Sequence, residues 1–321
     1  MTLAVAPGSP ATRILGLGHY RPGNVITNHD LIARGVDTDD EWVKSRVGIA
    51  ERRWADPDET VVDMAEQAAS KALAASGVET SEIDLVLVAT CTMPTPVPAA
   101  APNLANRLGI LAPGAYDVNS GCSGFVYALN AASAAVLTGQ ARNVLVVAAE
   151  RFSGWLDMSD RSTCIILGDA AGAAVVGPSD TAGLGPVVWG SDGEQFDTVA
   201  IDQESHFFRQ EGQAVYRWAT GKMAPIALEA CRRAGVALED IAAFVPHQAN
   251  LRIIDALARR IGMPNAIVAR DIVTSGNTSA ATIPLALSRM VERGEILSGA
   301  PVLLLGFGSG LAYAAQVVLS P

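Results

Sequence analysis

Three side chains in this sequence have types and settings suited to acyl transfer: Cys122, His247 and Asn277. Cys122 lies in Asp117-Val118-Asn119-Ser120-Gly121-Cys122-Ser123-Gly124-Phe125, a glycine-flanked turn where a strand hands over to a helix. At such a turn the unpaired N–H groups and the positive end of the helix dipole favour thiolate, the nucleophilic form of cysteine. The other use of a cysteine there is plain core packing, the role expected of Cys91, Cys164 and Cys231. His247 follows the apolar run Ala242 to Pro246, at the carboxyl end of an expected strand, where open α/β sheets bind their ligands. Taken alone, a histidine in this position is more often structural than catalytic. Asn277, in Thr274-Ser275-Gly276-Asn277-Thr278-Ser279, is either a turn or N-cap residue or an amide donor. Together, a thiol that holds an acyl group and a neutral imidazole and amide that donate to an oxyanion or enolate make an acyl-transfer set. The loop Gly306-Phe307-Gly308-Ser309-Gly310 offers backbone N–H groups for the acyl oxygen, or is a hairpin turn.

Short strand-like runs alternating with helical patterns must position these residues, the mark of layered α/β architecture. Strands are expected at Arg13 to His19, Leu85 to Thr90, Asn143 to Ala149, Thr163 to Val176 (broken at Gly168-Asp169), Ala242 to Pro246 and Val302 to Leu305. Helices are expected at Thr60 to Ser76, opened by the capping box Thr60-x-x-Asp63 and closed by Gly77, and at Gln213 to Ala234, Asn250 to Ile261 and Ser279 to Arg293. Three landmarks recur in order. Gly77-Val78 before Ile83 returns as Gly235-Val236 before Ile241; Ser120-Gly121-Cys122-Ser123 returns as Ser275-Gly276-Asn277-Thr278; and Val144 to Val147 returns as Val302 to Leu305. The unit is therefore read as duplicated, residues 1–180 and 181–321, with the boundary at Gly177 to Gly185. Cys122 and Asn277 fall at equivalent turns, which a pseudo-twofold body can bring to one centre.

Composition narrows the classes. The chain has 321 residues, half of them hydrophobic, enough for a large core. A net charge of −10 argues against nucleic-acid and anionic-membrane partners. Val118 to Ala141 and Val302 to Pro321 are uncharged, yet polar residues in the first and Gly306, Gly308 and Gly310 in the second make them a buried helix and a buried hairpin. Four scattered cysteines without C-x-x-C suggest neither a disulfide framework nor a metal site and fit a reducing cytoplasm. Residues 1–12 lack the features of a secretory signal. Gly16-Leu17-Gly18 and Gly306-x-Gly308-x-Gly310 both miss the spacing of a dinucleotide fingerprint, and no G-x-S-x-G elbow occurs.

Asp117 to Leu129, Gly168 to Ala173, Val245-Pro246-His247-Gln248-Ala249-Asn250-Leu251-Arg252-Ile253-Ile254, Gly276 to Ala281 and the terminal glycine loop, in this order, resemble β-ketoacyl-acyl carrier protein synthase III of bacteria, from about Arg13 to Leu319. The resemblance implies a thiolase fold, a layered α-β-α-β-α body of two α/β halves. It also implies a homodimer and the first condensation of type II fatty-acid synthesis, between acyl-coenzyme A and malonyl-acyl carrier protein, with no cofactor and no metal. By it, Cys122 is the acylated nucleophile, His247 and Asn277 serve decarboxylation, and the backbone of Cys122 and Ser309 forms the oxyanion hole. Trp42 and Arg161 would stack the coenzyme A adenine and Arg46 would meet its phosphates, while Gln248, Arg252, Arg217, Arg259 and Arg260 would meet the carrier protein. Val97 would line the neighbouring subunit's acyl channel.

Between Gln213 and Arg260 seven basic residues stand against four acidic ones, a local excess suited to an acidic carrier protein or else a solvated helix face. The short Asp202 to Gln210 stretch, Ser123 and Ala170 depart from the family pattern and point to an altered pocket. A polyketide starter-loading enzyme and a silent partner subunit stand as alternatives.

Overall fold

The computed structural model describes residues 8–321; residues 1–7, on which part of the reading of the N-terminus rests, lie outside the described residues. Two five-stranded sheets organise the chain. The first contains β1 (Ala11–Tyr20), β2 (Ile83–Ala89), β3 (Gly114–Val118), β4 (Asn143–Arg151) and β5 (Asp169–Ser179) in the order β1-β5-β4-β2-β3. The second contains β6 (Val188–Ser191), β7 (Ala243–Pro246), β8 (Ile267–Val268), β9 (Pro301–Gly308) and β10 (Ala312–Leu319) in the order β6-β10-β9-β7-β8. In both, the first two pairings are antiparallel and the last two parallel. One topology is thus used twice.

Five helices build the layers: α1 (Val61–Ser76), α2 (Gly124–Leu137), α3 (Gly212–Ala234), α4 (Leu251–Ile261) and α5 (Thr282–Glu292). The two-residue period of the strands assigns each face its partner. Val144 and Val146 of β4, with Val302 and Leu304 of β9, face a central layer made by Phe125, Val126 and Leu129 of α2 and Ile283, Leu285 and Leu287 of α5. Leu145 and Val147 face outward onto Met64, Ala65 and Ala68 of α1. Leu303 and Leu305 face outward on the other side onto Trp218, Met223 and Ala227 of α3 and Ile254 and Leu257 of α4. The result is the expected α-β-α-β-α stack. Burial of each of the Val, Leu, Ile, Phe and Met side chains among these contributes roughly 1.5–3 kcal/mol.

Local signals were followed closely where they are self-contained. Thr60 caps α1, Asp63 closes the box in return, and Gly77 ends the helix in the left-handed conformation. The two uncharged stretches form α2 with its flanks and the β9–β10 hairpin, and among the described residues no helix is long and apolar enough to cross a membrane. The expected strand from Thr163 needs correction: Arg161–Cys164 is one helical turn capped by Asp160, and strand pairing begins at Asp169. A short buried apolar run serves a turn as well as a strand, and the Asp160 carboxylate, accepting from the Ser162 N–H and hydroxyl, decides for the turn.

Candidate active site

Both repeats enter their central helix through a tight 3-10 turn. In the first, β3 ends at Val118 and a 3-10 turn, Gly121–Ser123, precedes α2. Gly121 has φ +48°, and a Cβ there would meet the Ser309 hydroxyl at 2.0 Å, so the turn before Cys122 requires glycine. In the second, Gly276 and Asn277 lead into a 3-10 turn, Ser279–Ala281, before α5. The segment before β5 holds Asn277 in place: its N–H donates to the Ile166 carbonyl at 2.9 Å, and its carbonyl accepts from the Gly168 N–H at 3.0 Å. His247, directly after β7, donates its backbone N–H to Leu305 of β9 at 2.8 Å, and Phe307 of β9 packs edge-on against its ring with centroids 5.4 Å apart.

These turns bring Cys122, His247 and Asn277 to the wall of one cavity of about 620 Å³, which Phe307 and Gly308 also line. The packing around the sulfur is close. A Cβ on Gly308 would stand 2.7 Å from both Cβ and Sγ of Cys122. Beyond Cys122 lies a second, smaller cavity of about 240 Å³, lined by Cys91, Phe152, Val199, Ile201, Phe208, Ser279 and Ser309 among others. The sulfur therefore sits where a large cleft meets a small, mainly apolar pocket.

Each polar partner has a definite orientation. Asn277 Oδ1 accepts from the Ser279 N–H at 2.8 Å, which leaves its NH₂ as the free, donating end. His247 is 2% exposed, and burial lowers its pKa to about 3, so the ring is neutral. Its Nδ1 lies 2.8 Å from the Thr282 hydroxyl, which in turn donates to the Ser279 carbonyl at 2.8 Å. The expected lowering of the thiol is not found. Burial pushes Cys122 up to about 11, and the partial offsets are the Ser279 hydroxyl and the backbone N–H groups of Ser309 and Cys122. Desolvation of the sulfur outweighs the short turn's dipole, and the buried Glu150 carboxyl adds to the rise.

Of the other expected site residues, Trp42 and Arg46 line the large cavity on the helix Asp40–Val47, with the Arg46 and Arg161 guanidinium carbons 5.8 and 4.9 Å from the Trp42 ring centroid. Arg217 and Arg252 join Arg46 on that cavity, and among the described residues no carboxylate lines it. Arg259 and Arg260 are exposed at the far end of α4, where Arg260 donates to the Thr220 carbonyl of α3 at 2.7 Å. Gln248 is a correction. It is 1% exposed, its amide donates to the Pro246 and Ala269 carbonyls, and its Oε1 accepts from the Ile272 N–H, so it braces β7 and offers nothing to a macromolecular partner. Cys91 is also corrected: it is half-buried, lines the small cavity and donates to Glu150 at 3.3 Å, whereas Cys164 and Cys231 are buried as expected. Ser279 and Thr282 escaped the sequence reading because only tertiary hydrogen bonds distinguish them from ordinary helix-entry residues. Among the described residues no cluster of three or more His, Cys, Asp or Glu could hold a metal ion.

Comparison with known proteins turns this geometry into a family assignment. Family models for 3-oxoacyl-[acyl-carrier-protein] synthase III and its C-terminal region match residues 116–193 and 231–319, together more than half of the chain. The chain belongs to the 3-oxoacyl-[acyl-carrier-protein] synthase III family. A β-ketoacyl-[acyl-carrier-protein] synthase III of Streptomyces coelicolor is 53% identical over 97% of this chain and 99% of its own length. The crystal structure of the priming β-ketosynthase from the R1128 polyketide biosynthetic pathway superposes with a TM-score of 0.96 at 43% identity, covering 100% of this chain and 99% of that one. The synthase III of Aquifex aeolicus superposes at 0.91 with 38% identity, covering 96% and 100%. This family member is accordingly a thiolase-fold condensing enzyme, an acyltransferase.

Proposed function

We propose that the chain condenses an acyl-coenzyme A starter with malonyl-acyl carrier protein to give 3-oxoacyl-acyl carrier protein, the opening step of type II fatty-acid synthesis. The observation that carries this is the sulfur of Cys122 at the junction of two cavities, with His247 and Asn277 on the larger one. Cys122 attacks the thioester carbonyl, and the N–H groups of Cys122 and Ser309, which already bear on the sulfur, hold the oxyanion. Coenzyme A leaves as the thiol, carrying the cysteine proton, and the acyl chain occupies the small pocket. When malonyl-acyl carrier protein enters, the bond to its carboxylate breaks and carbon dioxide departs. The electron pair passes into an enolate, whose oxygen accepts from the Asn277 NH₂ and from His247 Nε2–H. The Thr282 hydroxyl supports that tautomer by turning its proton from the Ser279 carbonyl to Nδ1. The enolate carbon attacks the acyl thioester, the carbon–sulfur bond breaks, and the Cys122 thiolate recovers a proton. One proton is consumed over the cycle, and no cofactor takes part.

Charge and shape support the partner assignments. Trp42 between Arg46 and Arg161 suits an adenine, and the arginines of the large cavity suit its phosphates. Arg217 and Arg252 at the cavity, with Arg259 and Arg260 beyond, suit an acidic carrier protein. A homodimer and a cytoplasmic setting belong to the same reading. The first of these is supported by the uncovered edge of β3, near which Val97, Leu111 and Tyr116 are 78%, 87% and 47% exposed.

Intact mass after incubation with acetyl- or branched acyl-coenzyme A tests the reading. The parent gains one acyl group and Cys122→Ala gains none; an undiminished adduct in the variant overturns it. The close likeness to a polyketide priming ketosynthase favours one alternative, starter loading for a secondary metabolite. A panel of acyl donors and carrier proteins separates the two by which pair turns over fastest.

A further inference from the structure

Ser279 is the odd residue of the second turn. Its φ is +48°, in the left-handed region that glycine adopts freely and that strains a residue with a side chain. It is 1% exposed and bonds through three separate groups. Its hydroxyl donates to Cys122 Sγ at 3.5 Å, its N–H to Asn277 Oδ1 at 2.8 Å, and its carbonyl accepts from the Thr282 hydroxyl, the partner of His247 Nδ1. Cys91 Sγ, at 3.8 Å, is the other contact of the hydroxyl. One strained residue thus joins all three reactive side chains, and the strain is what aims its hydroxyl at the sulfur while its backbone points the other way.

We infer that Ser279 is a further catalytic residue: its hydroxyl holds the negative charge of Cys122 sulfur when the thiol attacks and again when it leaves the condensation product, while its backbone N–H sets Asn277. This rests on Cys122 being the acylated thiol. As the thiol loses its proton, sulfur becomes the stronger acceptor and draws the Ser279 O–H away from Cys91. Once acylated, the thioester sulfur is a poor acceptor, and the hydroxyl turns back to Cys91, whose own S–H is directed to Glu150. The groups that face the sulfur are therefore the Ser279 hydroxyl, the N–H groups of Cys122 and Ser309, Cys91 with Glu150 behind it, and, across the large cavity, neutral His247 and the Asn277 amide.

The decisive variant is Ser279→Gly, because glycine accepts the left-handed φ and keeps the backbone bonds while removing the hydroxyl with its Cβ. The readout is the pH dependence of Cys122 alkylation by iodoacetamide, followed by intact mass, with Cys122→Ala reporting any other thiol. The midpoint should rise by about one pH unit, the effect of losing one hydrogen bond to the charged form. Acylation by acyl-coenzyme A near pH 7 should fall about tenfold, with melting temperature unchanged or higher. A midpoint that coincides with the parent's overturns the inference. Ser279→Ala, which keeps the strain, should show the same shift, and failure of both variants to fold makes Ser279 a purely structural residue and likewise overturns it. If the parent takes no acyl group yet the alkylation midpoint still moves, the proposed condensation falls and the action of the hydroxyl on sulfur stands.

Discussion

The two strand-to-helix turns at the centre of the molecule share a backbone plan and divide the work. The Gly121–Ser123 turn presents one half-buried sulfur between two cavities, with its own N–H and that of Ser309 bearing on it. The turn from Gly276 to Ala281 instead ties its backbone groups to one another and to neighbouring segments, gives the Ser279 hydroxyl to the sulfur, and presents the Asn277 NH₂ beside the His247 imidazole on the large cavity. Duplication supplied the same scaffold twice. On the proposed mechanism, one copy carries the covalent cargo and the other is a rigid bank of donors.

Four changes break or sharpen this division. The largest effect is expected from Asn277→Ala, which should slow decarboxylation of malonyl-acyl carrier protein about 10²- to 10³-fold while sparing acylation of Cys122; the two half-reactions are followed separately by carbon dioxide release and intact mass. Equal loss in both would erase the division. Next comes Gly308→Ala, whose Cβ would lie 2.7 Å from the Cys122 sulfur. Acylation should drop about 10- to 100-fold, and the melting temperature should fall as well, since the added methyl would overlap both Cβ and Sγ of Cys122 in a closely packed turn. Arg252→Glu reverses a charge on the large cavity and should raise the KM for the carrier substrate about tenfold, with the difference shrinking at high salt and kcat little changed.

A further effect is on stability rather than turnover. Unfolded His247 titrates near 6.5 and the buried ring only at about 3, so its neutral burial contributes stability that is complete above pH 6.5 and is lost as the pH falls through that window. Relative to His247→Gln, the parent should lose about 1.4 kcal/mol per pH unit between roughly pH 6 and 4. Urea titrations of both proteins across that range measure the difference directly.

Legibility tracked the range of the interactions. The Thr60–Asp63 box and the Gly77 stop are settled within one turn of chain, and the residues that settle them are adjacent. The alternating faces of β4 and β9 were legible as buried runs, but which layer each side chain meets depends on the whole stack. Cys122, His247 and Asn277 stood out by their punctuating glycines and by the repeat. The state of the thiol did not, because its desolvation comes from elements distant in sequence. Gln248 follows His247 by one residue and faces the opposite way, into the β7 and Ala269 carbonyls, a difference no local pattern encodes. Ser279 needed its φ and its three bonds to be seen at all.

The clasp between Asn277 and the Ile166–Gly168 strand of backbone has a consequence for engineering. A donor residue belonging to one lobe is held in register by main chain belonging to the other, so the lobes are not interchangeable modules. A chimera that grafts a foreign second lobe must bring residues 165–168 along with 276–279, or its amide will hang at the wrong angle over an otherwise intact thiol.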